Sequence, residues 1–439
     1  MNTLADRQQT IGQYAEKLLA PPYTLENMGI IDSPPRDAAR TDDTLVVCYP
    51  KRSGTGRSGG SLAEISVAEL GTAVVSAMLE TAAKDVPTIR EHVGAVVFGQ
   101  VVSAGSGMNP ARQIGIESGI DLATPAWMVR NECGSGATAL IAAARAIKCG
   151  EYDLIVAGGV ENMSQVPYYL ENDRKKSGLG NKTLVDGVLA ALTDPFSKRI
   201  MGETAEEMAI EDGLSREQLD RYSVRSQHLA ELAVNADWFT QSIVPITINH
   251  GKDIFATDEY VRGSQVTEAT LASMKPQYSK NGVLTPGNSS GINDGASAMI
   301  MTTVRRAREL GLEESMDLIS YGEAGVDPSR MGRGPVPASR IALGRAGLTM
   351  ADMSVVLINE AFANIPLADA CDLNVLPERL NPFGGAIAFG HPIGSTGARL
   401  VVELADYYRN NPDSGDHSLS ALCIGAGQGV ATIWRRVRT

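Results

Sequence analysis

Short β-branched runs alternate with amphipathic helical stretches along most of this chain, and that rhythm limits the folds open to it. TLVVCY (44–49) and AVVFGQVV (95–102) are separated by the helical VAELGTAVVSAMLETAAK (67–84). AWMVRNE (126–132) leads into SGATALIAAARAIKCG (135–150) and then DLIVAGG (153–159). Strands that alternate with helices predict βαβ units around a parallel sheet. The rhythm breaks over 165–280, a charged stretch with long helical patterns such as REQLDRYSVRSQHLAELAV (216–234), which reads as an insertion between two α/β halves. It resumes at GASAMIMTT (295–303), MDLISYG (316–322) and MSVVLINEAF (353–362), and closes on LSALCIGAGQGVATIWRR (419–436). NECGSGATALI (131–141) and ALCIGAGQGVA (421–431) echo one another faintly, each an apolar strand followed by cysteine and glycines.

At 439 residues the chain exceeds one average domain, which allows two or three cores or one large α/β body. A net charge of −12 argues against a nucleic-acid surface. No apolar run approaches the roughly 20 residues of a membrane span. Residues 1–43 differ from the rest: they are polar, contain Pro21-Pro22 and Pro34-Pro35, and allow one short helix near 5–19. They read as an N-terminal extension or partner-docking arm, with disorder equally open. Acidic residues such as Asp6 and Glu16 count against a signal or transit peptide, and the terminal VRT is no organelle address. Cysteines 48, 133, 149, 371 and 423 have neither paired nor zinc-ligand spacing, which predicts a reducing, cytoplasmic setting and no metal site.

GTGRSGG (54–60) fits the outline of a dinucleotide fingerprint, with Glu80 downstream, but PKRS separates it from the preceding strand. A nicotinamide or flavin site is therefore disfavoured. Cys133 says more. It stands where a strand runs into a helix, and a helix N-terminus lowers a thiol pKa and offers N–H groups to an oxyanion. On this stretch alone a buried structural cysteine is an equal reading. Cys423 has a similar glycine-rich setting, and His391 stands among glycines in NPFGGAIAFGHPIGSTGAR (381–399). INEAFAN (358–364) closes an apolar strand with Asn359 and Glu360, either chemical groups or a helix cap.

In combination these stretches resemble the thiolase family, from about Leu45 to the C-terminus. The matching segments include RSGTGRSGGSL (52–62), GQVVSAGSGMNPARQ (99–113), NECGSGATA (131–139), AGGVENMS (157–164) and MGETAEEMA (201–209). They continue through GNSSGINDGASA (287–298), MGRGPVPASR (331–340), NEAFA (359–363), GGAIAFGHPIGSTGAR (384–399) and CIGAGQG (423–429). The resemblance absorbs GTGRSGG. It implies an α/β thiolase fold: two similar βαβ halves in a five-layered α-β-α-β-α body with an inserted loop domain. The halves would comprise 44–164 with 281–315, and 316–439, while 165–280 would cover a coenzyme A site. Homodimers or homotetramers are implied, with acyl-CoA thioesters as substrates and no separate cofactor.

Carried over residue by residue, Cys133 becomes the acylated nucleophile and His391 its base. Cys423 exchanges a proton with the α-carbon of the second substrate. Asn359 holds a water that forms one oxyanion hole with His391, and the N–H groups of Cys133 and Gly425 form the other. Arg262 would lie near the adenine, Tyr278 beside the nucleotide, Ser290 near the pantetheine, and Met331 and Phe362 in the acyl pocket. The implied activity is reversible Claisen condensation of two acetyl-CoA to acetoacetyl-CoA, with a longer-chain 3-ketoacyl-CoA thiolase as the alternative and a non-catalytic carrier subunit less favoured. The chemistry agrees, because a thiolate exchanges acyl groups with a thioester readily and a weak carbon acid needs preorganised donors for its enolate. The glycines around His391 are expected to leave room for the incoming thioester. RSG where the family has R-T-P, GAG for a triple glycine, and the aromatic PYYL (167–170) are the departures.

Overall fold

The computed structural model describes residues 3–21, 23–24, 39–171 and 181–438; prolines 22, 34 and 35 lie outside them. Helix α1 (Leu4–Leu18) starts at a capping box in which Thr3 and Asp6 satisfy one another's backbone N–H. Then follow β1 (Leu45–Ser53), α2 (Val67–Ala82), β2 (Ala95–Gly99), α3 (Pro110–Glu117), β3 (Ala126–Val129), α4 (Ser135–Lys148) and β4 (Leu154–Asn162). An excursion carrying α5 (Met201–Glu211) and α6 (Arg216–Asn235) precedes β5 (Asn293–Thr303). The second half comprises β6 (Glu314–Gly325), α7 (Pro335–Ala346), β7 (Met353–Ile358), α8 (Asn364–Leu373), α9 (Ile393–Asn410), β8 (His417–Ile424) and β9 (Gln428–Arg436).

The strands pair in the order β7-β8-β9-β6-β1-β5-β4-β2-β3. Read outward from the central β1–β6 pair, the two sides are the same. Each has an antiparallel pair, a second antiparallel pair and then parallel strands. Where one side has β3, the other has a single parallel bridge between Val356 and Leu380. The expected pair of similar halves is therefore present, joined through antiparallel β1 and β6, but the expected parallel sheet is not: pairing is antiparallel from β8 through to β4 and parallel only toward the edges.

Five layers follow from burial on both faces of each half-sheet. Along β1, Leu45 and Val47 face the central core, while Val46 and Cys48 face the outer core with α2. α7 and α8 form the outer layer of the second half, and α4 and α9 fill the space between the half-sheets. These two central helices touch through their backbones. A Cβ on Gly397 would lie 2.3 Å from the Ala137 nitrogen, and one on Gly136 would lie 2.8 Å from the Ala398 nitrogen. Only glycine permits that approach.

The repeat corrects the echo read between NECGSGATALI and ALCIGAGQGVA. Equivalent places in the two halves hold Cys133, just before α4, and His391, just before α9. Cys423 instead lies near the end of β8, the counterpart of β4. A cysteine before glycines follows the local need for a tight bend and does not mark equivalent positions. The closing run 419–436 is also two strands, folded into a hairpin at Gly425–Gly427, where Ala426 and Gly427 have φ of 64° and 81°.

Disorder does not hold for residues 4–18. Ile11, Ala15 and Leu18 of α1 are buried in the core that contains Leu219, Ile365 and Leu367.

Candidate active site

Cys133 sits in a single 3-10 turn, Glu132–Gly134, inserted between β3 and α4. The turn is fixed from both sides: Asn131 N–H donates to Ser135 Oγ at 2.8 Å, and Ser135 donates to the Glu132 carbonyl at 2.7 Å. Glu132 adopts φ of 41°, unusual for a residue with a side chain, directly before the cysteine. The expectation of a thiol acidified by the helix is overturned. Burial pushes the Cys133 thiol up to about 12, and Glu132 adds to the rise, although the backbone N–H groups of Gly425 and Cys133 favour the thiolate. Loss of hydration outweighs the field at the start of a helix.

His391 is 6% exposed. Its Nδ1 lies 2.6 Å from Thr396 Oγ1, and that hydroxyl donates to the Pro392 carbonyl at 2.8 Å. A hydroxyl has one hydrogen to give, so Thr396 accepts from Nδ1–H. Nε2 is thereby left with its lone pair, the form a base requires. Burial, and then the charge of Arg399, lower the imidazole pKa to about 3, so the ring is neutral near pH 7. Asn359 Nδ2 stands 3.4 Å from Nε2, while Asn359 Oδ1 is buried with no partner among the described residues. An orphaned buried acceptor is a place for an ordered water.

Cys423 is 1% exposed, and its thiol pKa is raised well above the ordinary value by burial, next by Cys133 and then by Asp369. Cys133, His391, Cys423 and Gly425 line one cavity of about 100 Å³. Ser290, Tyr278, Met331 and Phe362 line it too, whereas Arg262 lines a separate cleft with Glu231 and Asp258. Tyr278 meets Phe362 edge-on, with ring centroids 6.1 Å apart, and Arg262 lies over Tyr260. Tyr278 thus stands in the wall of the cysteine cavity and Arg262 outside it.

The glycines around His391 have a reason other than the one expected. A Cβ on Gly390, whose φ is +89°, would lie 2.5 Å from the Asn293 side chain, and one on Gly394 would lie 2.7 Å from Glu161 Oε2. Asn293 accepts the His391 N–H at 2.9 Å, and Glu161 accepts N–H groups from Val101, Val102 and Gly394. What comes close at these two glycines is the protein itself, gripping the loop from the first half. Neither Asn359 nor Glu360 caps a helix: α8 begins after Ala363 with no side-chain cap. Glu360 instead accepts from Tyr222, Ser226, Asn381 and the Ile387 N–H in a closed buried network.

Thr396, Asn293 and Glu161 were not picked out from sequence. Glu161 lay inside a motif, but nothing in its neighbours foretold a full set of backbone donors from segments far along the chain.

Residues 45–305 match the family described as Thiolase, N-terminal domain, and residues 312–436 match Thiolase, C-terminal domain. The chain is 42% identical over 392 residues to an acetyl-CoA acetyltransferase of Cupriavidus necator, covering 88% of this chain and 98% of the relative. It is 39% identical over 399 residues to the cytosolic acetyl-CoA acetyltransferase of Rattus norvegicus, covering 90% and 98%. The structure of human mitochondrial 3-ketoacyl-CoA thiolase in complex with CoA superposes with a TM-score of 0.86 at 34% identity, covering 90% of this chain and 98% of that one.

Proposed function

Because this chain belongs to the thiolase family, we propose that the enclosed pair Cys133 and Cys423 carries the family's chemistry through two half-reactions sharing His391. The protein is an acyltransferase that condenses two acetyl-CoA reversibly to acetoacetyl-CoA and coenzyme A. The observation that carries the assignment of roles is the Thr396–His391–Asn359 relay opening onto a cavity that holds both cysteines.

The resting groups define the steps. With a thiol raised to about 12 and an imidazole lowered to about 3, Cys133 does not ionise spontaneously. Proton transfer to His391 Nε2 accompanies attack of sulfur on the acetyl carbonyl, while the N–H groups of Cys133 and Gly425 receive the developing oxyanion. Coenzyme A departs and takes a proton from the Cys423 thiol, leaving acetyl-Cys133, an imidazolium and a Cys423 thiolate. A second acetyl-CoA then gives its α-proton to Cys423, a strong base because its pKa is raised. The enolate oxygen meets the imidazolium and a water on Asn359, and the carbanion attacks acetyl-Cys133. Cys133 leaves and recovers its proton from His391. The reverse sequence is thiolysis.

Ser290, Met331, Phe362 and Tyr278 line the cysteine cavity and Arg262 a separate cleft, which supports assigning Ser290 to the pantetheine, Met331 and Phe362 to the acyl end, Tyr278 to the wall between them and Arg262 to the nucleotide. Among the described residues edge strand β3 has no partner strand on one side, and Met108 and Leu122 are exposed large apolar residues, which supports a homo-oligomer. A cytosolic relative supports a cytoplasmic setting, and no described helix is long and apolar enough to cross a membrane. Labelled acetyl-CoA, acid quench and peptide mapping test the roles: label is expected on Cys133, and its absence there rejects the mechanism.

A further inference from the structure

We propose that α1 is an internal brace that sets the width of the acyl cavity by tying together, from outside, the segments that form its wall. α5 begins at Met201 in that wall, and α8 follows Phe362, also in the wall. Their far ends converge on α1. Arg7 Nε lies 3.3 Å from Asp212, the residue capping the end of α5, and Arg7 Nη1 lies 2.5 Å from Asp372 in the last turn of α8. One cation thus serves the negative ends of two helices. Gln8 Nε2 also donates to the Glu211 carbonyl at 2.8 Å.

A third wall segment shares Asp212 with Arg7. Arg333, two residues beyond Met331, pairs with Asp212 and, at 3.5 Å, with the buried Asp369 of α8. Under this polar layer Ile11, Ala15 and Leu18 share one core with Met208 of α5, Ile365 of α8, Met331 and Phe362. Glu16 reaches Arg221 of α6 at 3.0 Å. Of the helices α1 holds, α5 and α8 run directly into the cavity lining at Met201 and Phe362, while α6 contributes no lining residue. The family match begins at residue 45, so the brace lies outside the matched span.

A braced wall resists parting of Met201 from Met331, and the length of acyl group admitted is set by that resistance. The test uses full-length Ile11→Asp, which expels the apolar face of α1, and Arg7→Ala, which cuts only the ion pairs at a partly exposed side chain. Amide hydrogen exchange is followed in α1, α4, α5 and α8, together with the kcat/KM ratio for a six-carbon 3-ketoacyl-CoA against acetoacetyl-CoA. Exchange in α5 and α8 is expected to rise about tenfold with α4 unchanged. The ratio is expected to move about threefold toward the longer substrate, with Arg7→Lys close to the parent chain. An exchange change confined to α1, a uniform rise in all helices, or an unmoved ratio overturns the brace. If Ile11→Asp does not fold, Arg7→Ala alone decides. The ratio rests on the acyl-site reading above, but exchange needs no turnover, so failure of Cys133 to acylate and failure of the brace are seen separately.

Discussion

Thr396 fixes the proton of His391: its Oγ1 lies 2.6 Å from Nδ1 while its own hydrogen goes to the Pro392 carbonyl 2.8 Å away. No other assignment satisfies both contacts with the one hydrogen a hydroxyl carries, so the basic nitrogen is Nε2, the one beside Asn359.

Thr396→Val keeps the shape and removes the acceptor. The stranded Nδ1–H costs about 1–3 kcal/mol, and loss of the tautomer is expected to lower kcat by about 10–100-fold. Steady-state kinetics and imidazole nitrogen NMR check this together. Thr396→Ser should restore both; parent-like kcat in the valine variant would remove Thr396 from the relay.

His391→Ala and Cys423→Ala should separate the half-reactions. The first is expected to impair acylation and condensation alike, because one imidazole serves both. The second should still acylate Cys133, since a thiolate leaving group does not require a proton, yet fail to condense. Rapid-quench labelling with acetyl-CoA reads the first step and acetoacetyl-CoA formation the second. Acylation spared in both variants would refute the shared role.

Gly394→Ala tests the grip on the histidine loop. Its Cβ would stand 2.7 Å from Glu161 Oε2 and 2.8 Å from the Gln100 Cα, so the loop must shift. A loss of about 1–3 kcal/mol in stability and a drop in kcat are expected, read by denaturant unfolding and kinetics. Gly325→Ala, with nothing within 4 Å of its Cβ, is the control and should change neither.

Acid should destabilise the fold through His391. Its pKa falls from 6.5 to about 3 on folding, so between those values the unfolded chain binds more protons. Unfolding free energy therefore drops as pH falls through that window, and the contribution is fully present only above about 6.5. The unfolding free energy of the parent minus that of His391→Asn should fall as pH falls from 6.5 to 3 in denaturant titrations. A difference that does not depend on pH would show that the imidazole is not buried neutral.

Much of this was legible because local chemistry carries it. The two α/β halves, the helix near residues 5–19 and the candidates Cys133, His391, Cys423 and Asn359 all follow from periodicity, from residue type or from motifs that survive as contiguous strings. The errors share one cause. A nearby helix start predicts an acidified Cys133, yet its ionisation depends on how much water the surrounding fold removes. Glycines beside His391 predict space for substrate, whereas Asn293 and Glu161 occupy that space from β5 and β4. The echo between two Cys–Gly strings was a likeness of bends; the strand order pairs Cys133 with His391 instead.

The sequence alone therefore determined the alternation of strands and helices and the residue types able to do acyl transfer, because both are properties of neighbours along the chain. Tertiary structure alone decided which nitrogen of His391 is the base, how far its pKa and those of the cysteines move, and that α1 reaches the ends of α5 and α8. Those outcomes depend on hydration, on single hydrogen positions and on contacts between residues as distant as Arg7 and Asp372, and such distances exist only once the chain has packed.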